Sequence, residues 1–308
     1  MGDAATPDAG APQGQGQGQG QEQEQEDGWR GELALRFAAE PDGASSGETR
    51  LVERRHRGPL VVQRPFYPED RRVPHVYILH PPGGLVGGDR LSLDVTVGPR
   101  AHALLTTPAA TKVYRSTGPV ASQALRFRID AGACLEWLPQ ETILHDGAHA
   151  ELSVEVRLEG ADARFIGLDT LCFGLPARGE TFATGRCRQR FEIWQDGRPI
   201  FVERGHFDAD DPVHGAAWGL GGARVNGLMV VAPAPGTLAV LPRLRDAASQ
   251  VALPARAGVS VLGEGQALSC RYLGPSVERA RQFFQAVWTI VRPELTGRPA
   301  VPPRIWAT

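Results

Sequence analysis

The sequence contains no pair of cysteines spaced as metal or redox ligands. Its four cysteines, Cys134, Cys172, Cys187 and Cys270, stand far apart in a chain of 308 residues. A disulfide scaffold would be denser, and a zinc ribbon would show CxxC pairs, so four reduced and mostly buried thiols are expected. Also missing is any apolar run near the ~20 residues that a membrane span needs. The N-terminus has no basic stretch followed by an apolar core, which excludes a secretory signal and predicts a cytoplasmic protein. Neither sign of charge dominates: 33 Lys and Arg face 35 Asp and Glu, for a net charge of −2. Without a global basic surface, nucleic acid and anionic membrane are poor candidates as partners.

Catalytic signatures are missing too. There is no G-x-S-x-G elbow and no local cysteine-protease signature. No G-x-G-x-x-G fingerprint marks a dinucleotide site. The run HPPGGLVGGD, His80 to Asp89, comes nearest to a phosphate cradle, with Gly83 and Gly88 at GxxxxG spacing. The next two positions should then be Lys and Ser or Thr, which hold the phosphates and magnesium. They are Asp89 and Arg90, and a carboxylate there repels phosphate. The run therefore reads as a built loop. Pro81-Pro82 fixes an extended entry, and the pairs Gly83-Gly84 and Gly87-Gly88 permit positive φ or close backbone approach.

What the chain does contain is period-two hydrophobicity. Leu33, Leu35 and Phe37 alternate with polar or small residues. So do Leu91, Leu93, Val95 and Val97, then Leu125, Phe127 and Ile129, then Leu152, Val154, Val156 and Leu158. Each run reads as a strand with one buried face. Further strands are expected at 60–63, 76–79, 104–107, 135–138, 165–168, 190–194 and 200–203, with a hairpin turn at Asp196-Gly197. Many strands without intervening helices predict a mainly β, antiparallel-rich body. After Ser276, a good N-cap, apolar residues recur at three and four from Val277 to Val291, and Pro293 is expected to stop that helix. A weaker helix near 243–251 and strands near 259–262 and 268–272 complete a small helix-strand-strand-helix elaboration. Residues 1–28, rich in Gly, Gln and Glu, read as a disordered tail, and 29–308 as a single β-rich domain.

Several segments carry polar groups that suit chemistry. His145-Asp146-Gly147-Ala148-His149 reads either as a transient site for Ni²⁺ or Zn²⁺ or as two surface-loop histidines. His206, Asp208, Asp210, Asp211 and His214 form a second acidic, histidine-bearing loop, more in keeping with solvation than ligation. TTPAATKVYRS, with Lys112, Tyr114 and Arg115, and LEWLPQETI, with Glu136 and Glu141, read equally as β-turn edges or as a recognition rim.

HPPGGLVGGD, TTPAATKVYRS, LEWLPQETI, GETF (179–182) and the terminal PRIWAT (303–308) together resemble the urease accessory protein family UreD, also called UreH. The motifs follow the family's order from Gly31 onward and leave the tail outside. The resemblance implies a layered, helical β-sheet architecture with a few C-terminal helices. It also implies a non-enzymatic scaffold that binds apo-urease and UreF, with the GTPase UreG recruited through UreF and UreE as nickel donor. No cofactor is held tightly; Ni²⁺ passes in transit. The family's conduit carboxylates match Asp169, before Leu171-Cys172, and Glu180 of the GETF run, with Glu136 and Glu141 as further candidates on that path. Lys112, Tyr114 and Arg115 become candidates for the partner surface, and Gly83, Gly84, Gly87, Gly88 and Asp89 the signature loop. The family shows Gly-Arg-Pro where this chain has Gly174-Leu175-Pro176, which removes a cation near Asp169. The alternative reading is a metal-dependent hydrolase using the His145/His149 loop.

Overall fold

The computed structural model describes residues 1–2, 28–40, 47–234 and 239–307, so nearly all of the Gly/Gln/Glu tail lies outside the described residues. The strands fall into two sheets. One contains β1 (Arg30–Ala39), β2 (Thr49–Arg57), β5 (Arg90–Val97), β8 (Ala121–Ile129), β11 (Ala148–Leu158), β13 (Gly185–Gln195) and β14 (Arg198–Asp208), in the order β14-β13-β11-β8-β5-β1-β2. The other runs β16-β17-β15-β12-β9-β6-β4-β3. It is built from β3 (Val61–Val62), β4 (His75–Leu79), β6 (His102–Thr106), β9 (Cys134–Trp137), β12 (Arg164–Phe173), β15 (Val225–Ala232), β16 (Arg256–Leu262) and β17 (Ala267–Gly274). Short strands β7 (Thr111–Val113) and β10 (Thr142–Leu144) join it beside β12.

The mainly β expectation holds, but the antiparallel-rich one does not. β1, β5, β8, β11 and β13 pair in parallel, as do β4, β6, β9 and β12. The reason is the winding. From β5 onward the chain alternates between the sheets, passing from β5 to β6, β8, β9, β11, β12 and β13. A chain that revisits a sheet after each excursion to the other arrives in the same direction every time. The opposite strand thus serves as the crossover that a helix usually supplies between parallel neighbours. Antiparallel pairing is left to the ends, including the β13–β14 hairpin, where Asp196 and Gly197 both take positive φ as that tight turn requires.

Two layers of core follow. Leu33, Leu35, Phe37, Leu93, Phe127 and Phe191 pack between the sheets. On the far side of the second sheet, Ile166, Met229, Val231, Phe284, Val287 and Trp288 form another cluster under α1 (Leu241–Ser249) and α2 (Val277–Thr296). Ser276 caps α2, its hydroxyl accepting from the Arg279 amide at 3.3 Å. Pro293 does not stop this helix. It sits in the last turn, where it removes a single intrahelical donor, and the helix runs on to Thr296 and a left-handed Gly297.

Candidate functional site

HPPGGLVGGD links β4 to β5 and is fastened on all sides. Leu85 donates to the Lys112 carbonyl at 2.7 Å, and Tyr114 donates back to the Leu85 carbonyl at 2.9 Å. Asp89, buried, accepts from the Trp29 amide at 2.8 Å and from the Val86 amide at 2.9 Å. The residue that rules out a phosphate cradle is therefore the loop's own brace. Gly83 and Gly88 take positive φ, and a Cβ on Gly84 would meet the Tyr114 ring at 2.4 Å and the Lys112 carbonyl at 2.9 Å.

Behind this loop lies a cavity of about 170 Å³ between the sheets. Its walls include Leu93 and Val154 from the first sheet, Trp137, Asp169 and Lys112 from the second, and Gly84 from the signature loop. Asp169 sits deep in the protein yet keeps some accessible surface, because it faces this cavity. Its Oδ2 accepts from the Gln189 Nε2 at 2.7 Å. Burial pushes its pKa up; the Gln189 bond offsets part of that, and the nearby Glu203 charge adds to it. Among the described residues no cation is hydrogen-bonded to this carboxylate.

The other three candidate carboxylates lie elsewhere. Glu180 accepts from the Asp146 amide at 3.1 Å and bonds His145 Nδ1 at 2.8 Å, so that the GETF run is stitched to the His145 loop. Glu141 pairs with Arg281 of α2 at 3.2 Å. Glu136 is fully buried and saturated. Trp288 Nε1 donates to it at 2.6 Å, Arg292 Nε at 2.9 Å, and His102 Nε2 lies at 2.7 Å. Arg292, itself fully buried, also donates to Glu69 at 2.6 Å and to the Pro299 carbonyl, while Glu69 meets His75 at 3.0 Å and Arg298 at 3.3 Å. This network ties the C-terminal helix to the second sheet. Its one legible sign in the sequence is Arg292, four residues after Trp288 on the apolar stripe of α2.

The two histidines proposed as a metal pair take different partners. His145 binds Glu180 and stacks on the Tyr114 ring at 5.1 Å, whereas His149 Nδ1 faces the Gly118 carbonyl at 3.3 Å. Among the described residues no three His, Cys, Asp or Glu side chains are grouped to hold a metal ion. Arg115 pairs with Asp146 at 2.8 Å and is largely exposed, and Tyr114, the residue before it, is partly exposed. Lys112 turns toward the cavity instead. All four cysteines are free and buried, as expected, and burial pushes the Cys172 and Cys270 thiols up to about 12.

Residues 30–307 match the family model described as UreD urease accessory protein. The chain belongs to the UreD family. Relatives named urease accessory protein UreD include that of Dechloromonas aromatica, 47% identical over 283 residues, covering 91% of this chain and 95% of the relative. That of Methylobacillus flagellatus is 44% identical over 281 residues, with 91% and 95% covered. The Chromohalobacter salexigens protein is 40% identical over 317 residues, with 100% and 98% covered. UreD proteins are accessory proteins and not catalysts, so the hydrolase alternative built on His145 and His149 falls. UreD membership supports a role in urease maturation. No helix among the described residues is long and apolar enough to cross a membrane.

Proposed function

We propose that this UreD-family chain is a cytoplasmic scaffold in urease maturation, holding apo-urease and UreF and letting nickel pass along the intersheet cavity. UreG joins through UreF, and UreE supplies the metal. One observation carries the conduit reading: Asp169, on the wall of the cavity, is a carboxylate with no cationic partner among the described residues. A buried carboxylate that lacks a counter-charge is costly to ionise, so a visiting divalent cation is favoured there. A single oxygen donor cannot trap Ni²⁺ as clustered Cys and His would, and a conduit has to release its cargo. The Gly83–Gly84 backbone and Lys112 line the same cavity, which ties the signature loop to the path.

The test combines assembly and metal content. Tagged protein should retain apo-urease and a UreF homologue in a pulldown, and a strain lacking the chain should make urease without nickel. If neither partner is retained and the deletion strain keeps full urease activity, the reading fails. Asp169→Ala should lower urease nickel while the complex still assembles; unchanged nickel removes the conduit alone.

A further inference from the structure

The loop from β14 to β15, residues 209–224, holds Asp210, Asp211 and His214, while His206 and Asp208 of the acidic, histidine-bearing segment lie on β14 itself. The loop is a built structure. The Asp211 carboxylate accepts from the Val213 amide at 2.8 Å and starts a 3-10 turn over Pro212–His214. Leu220 donates to the Val213 carbonyl at 2.7 Å, Gly222 to that of His214 at 2.7 Å, and Gly219 and Gly221 to that of Ala216 at 2.9 and 3.0 Å. The His214 ring packs among Phe173, Phe182 and Phe207, at 5.2, 5.9 and 6.4 Å between centroids, and Leu220 is buried below. On this fixed base Trp218 stands 78% exposed. Of the chain's six tryptophans, Trp137 and Trp288 are buried, and Trp218 is more exposed than Trp29.

An indole held in water by a pre-set backbone offers a large apolar surface with little ordering left to lose on binding. Those are the properties of an interface anchor, where tryptophan is enriched. We propose that Trp218 is a docking anchor, inserting into an apolar pocket rimmed by arginine or lysine on a folded protein partner. The charge of the rim follows from Asp210 and Asp211, both exposed on the same loop. Arg256, whose guanidinium packs against Gly221, flanks the loop's other end. The two exposed acids disfavour anionic lipid and nucleic acid as the occupant. A second copy across a two-fold axis would set the same acidic loops against each other, which disfavours self-association.

This inference rests on the scaffold reading, which supplies the partners to try. Full-length wild type, Trp218→Ala, Trp218→Phe and Asp210→Lys would be titrated by calorimetry and interferometry against purified apo-urease and a purified UreF homologue, with circular dichroism and thermal melts confirming the fold. For one of the two partners, Trp218→Ala should weaken Kd at least tenfold and Trp218→Phe should restore most of the affinity. Asp210→Lys should slow association in a salt-dependent way. Equal binding of wild type and Trp218→Ala to both partners overturns the anchor and leaves the scaffold standing. Self-association of the wild type that Trp218→Ala abolishes, with partner binding unchanged, overturns it in favour of a second copy. Wild type that binds neither partner overturns both readings.

Discussion

Asp169 and Glu136 are both carboxylates deep in the second sheet, and their neighbours give them opposite parts. Glu136 is met by Arg292, Trp288 and His102, which hold its pKa down against burial. Removing one partner from such a pair leaves a buried charge uncompensated. Glu136→Gln is therefore expected to destabilise by roughly 3–5 kcal/mol, read from urea denaturation. Among the described residues Asp169 has only Gln189 as hydrogen-bond partner, and burial raises its pKa. A group whose folded pKa lies above its unfolded value costs stability once pH rises above that unfolded value. Asp169→Asn, which can still accept from Gln189, should stabilise by on the order of 1 kcal/mol at neutral pH by the same denaturation. A loss of stability there would contradict the placement. Nothing in the sequence separated the two residues. Glu136 sits between Leu135 and Trp137 in a strand buried on both faces, where alternation no longer signals which side chain is exposed.

At the scale of elements, alternation located most strands well because one face of each meets the core. β15 escaped for the opposite reason: Val225–Ala232 is buried almost throughout, between the first core and α2, so its apolar run lacks period two. Strand direction was not legible either. Alternation tells which face is buried, while parallel pairing depends on which sheet the chain enters next. In the signature loop the Pro and Gly pairs signal a shaped backbone, but the brace is hidden from the sequence, since Asp89 reaches the Trp29 amide across 60 residues. The loop yields a sharp expectation. Gly84→Ala places a methyl against the Tyr114 ring and the Lys112 carbonyl, so it should cost roughly 1–3 kcal/mol and disturb the cavity mouth. A thermal melt checks the first part, and an unchanged Tm would mean that the loop yields. For α2, Ser276→Ala removes the cap to the Arg279 amide and should cost about 1 kcal/mol.

At the scale of the molecule, the ionic network links the helical layer to the sheets and should give stability a characteristic pH profile. Burial pulls the Glu69 pKa upward, but hydrogen bonds with His75 and Arg292 outweigh it and hold the carboxyl at about 2. Its contribution is present above the ordinary value of 4.5 and is lost as pH falls toward 2. His102 behaves in the reverse sense. Burial opposes its charge, yet Cys134 and Glu136 raise it to about 10, so its contribution is full below 6.5 and fades as pH climbs toward 10. The network is thus strongest between about pH 4.5 and 6.5. Calorimetric Tm should fall on both sides of that window, and Glu136→Gln should flatten the profile. A wild-type Tm that rises steadily from pH 6.5 to 10 would contradict the assignment.

In the proposed role, this UreD-family scaffold carries a cation through its cavity past Asp169, a carboxylate with no cationic partner among the described residues. That claim is tested most directly by the nickel content of urease purified from cells in which Asp169→Asn replaces the wild-type chain. Plasma mass spectrometry should show nickel per urease active site reduced several-fold, with the accessory complex still recovered intact. Urease fully loaded with nickel in those cells would contradict the claim.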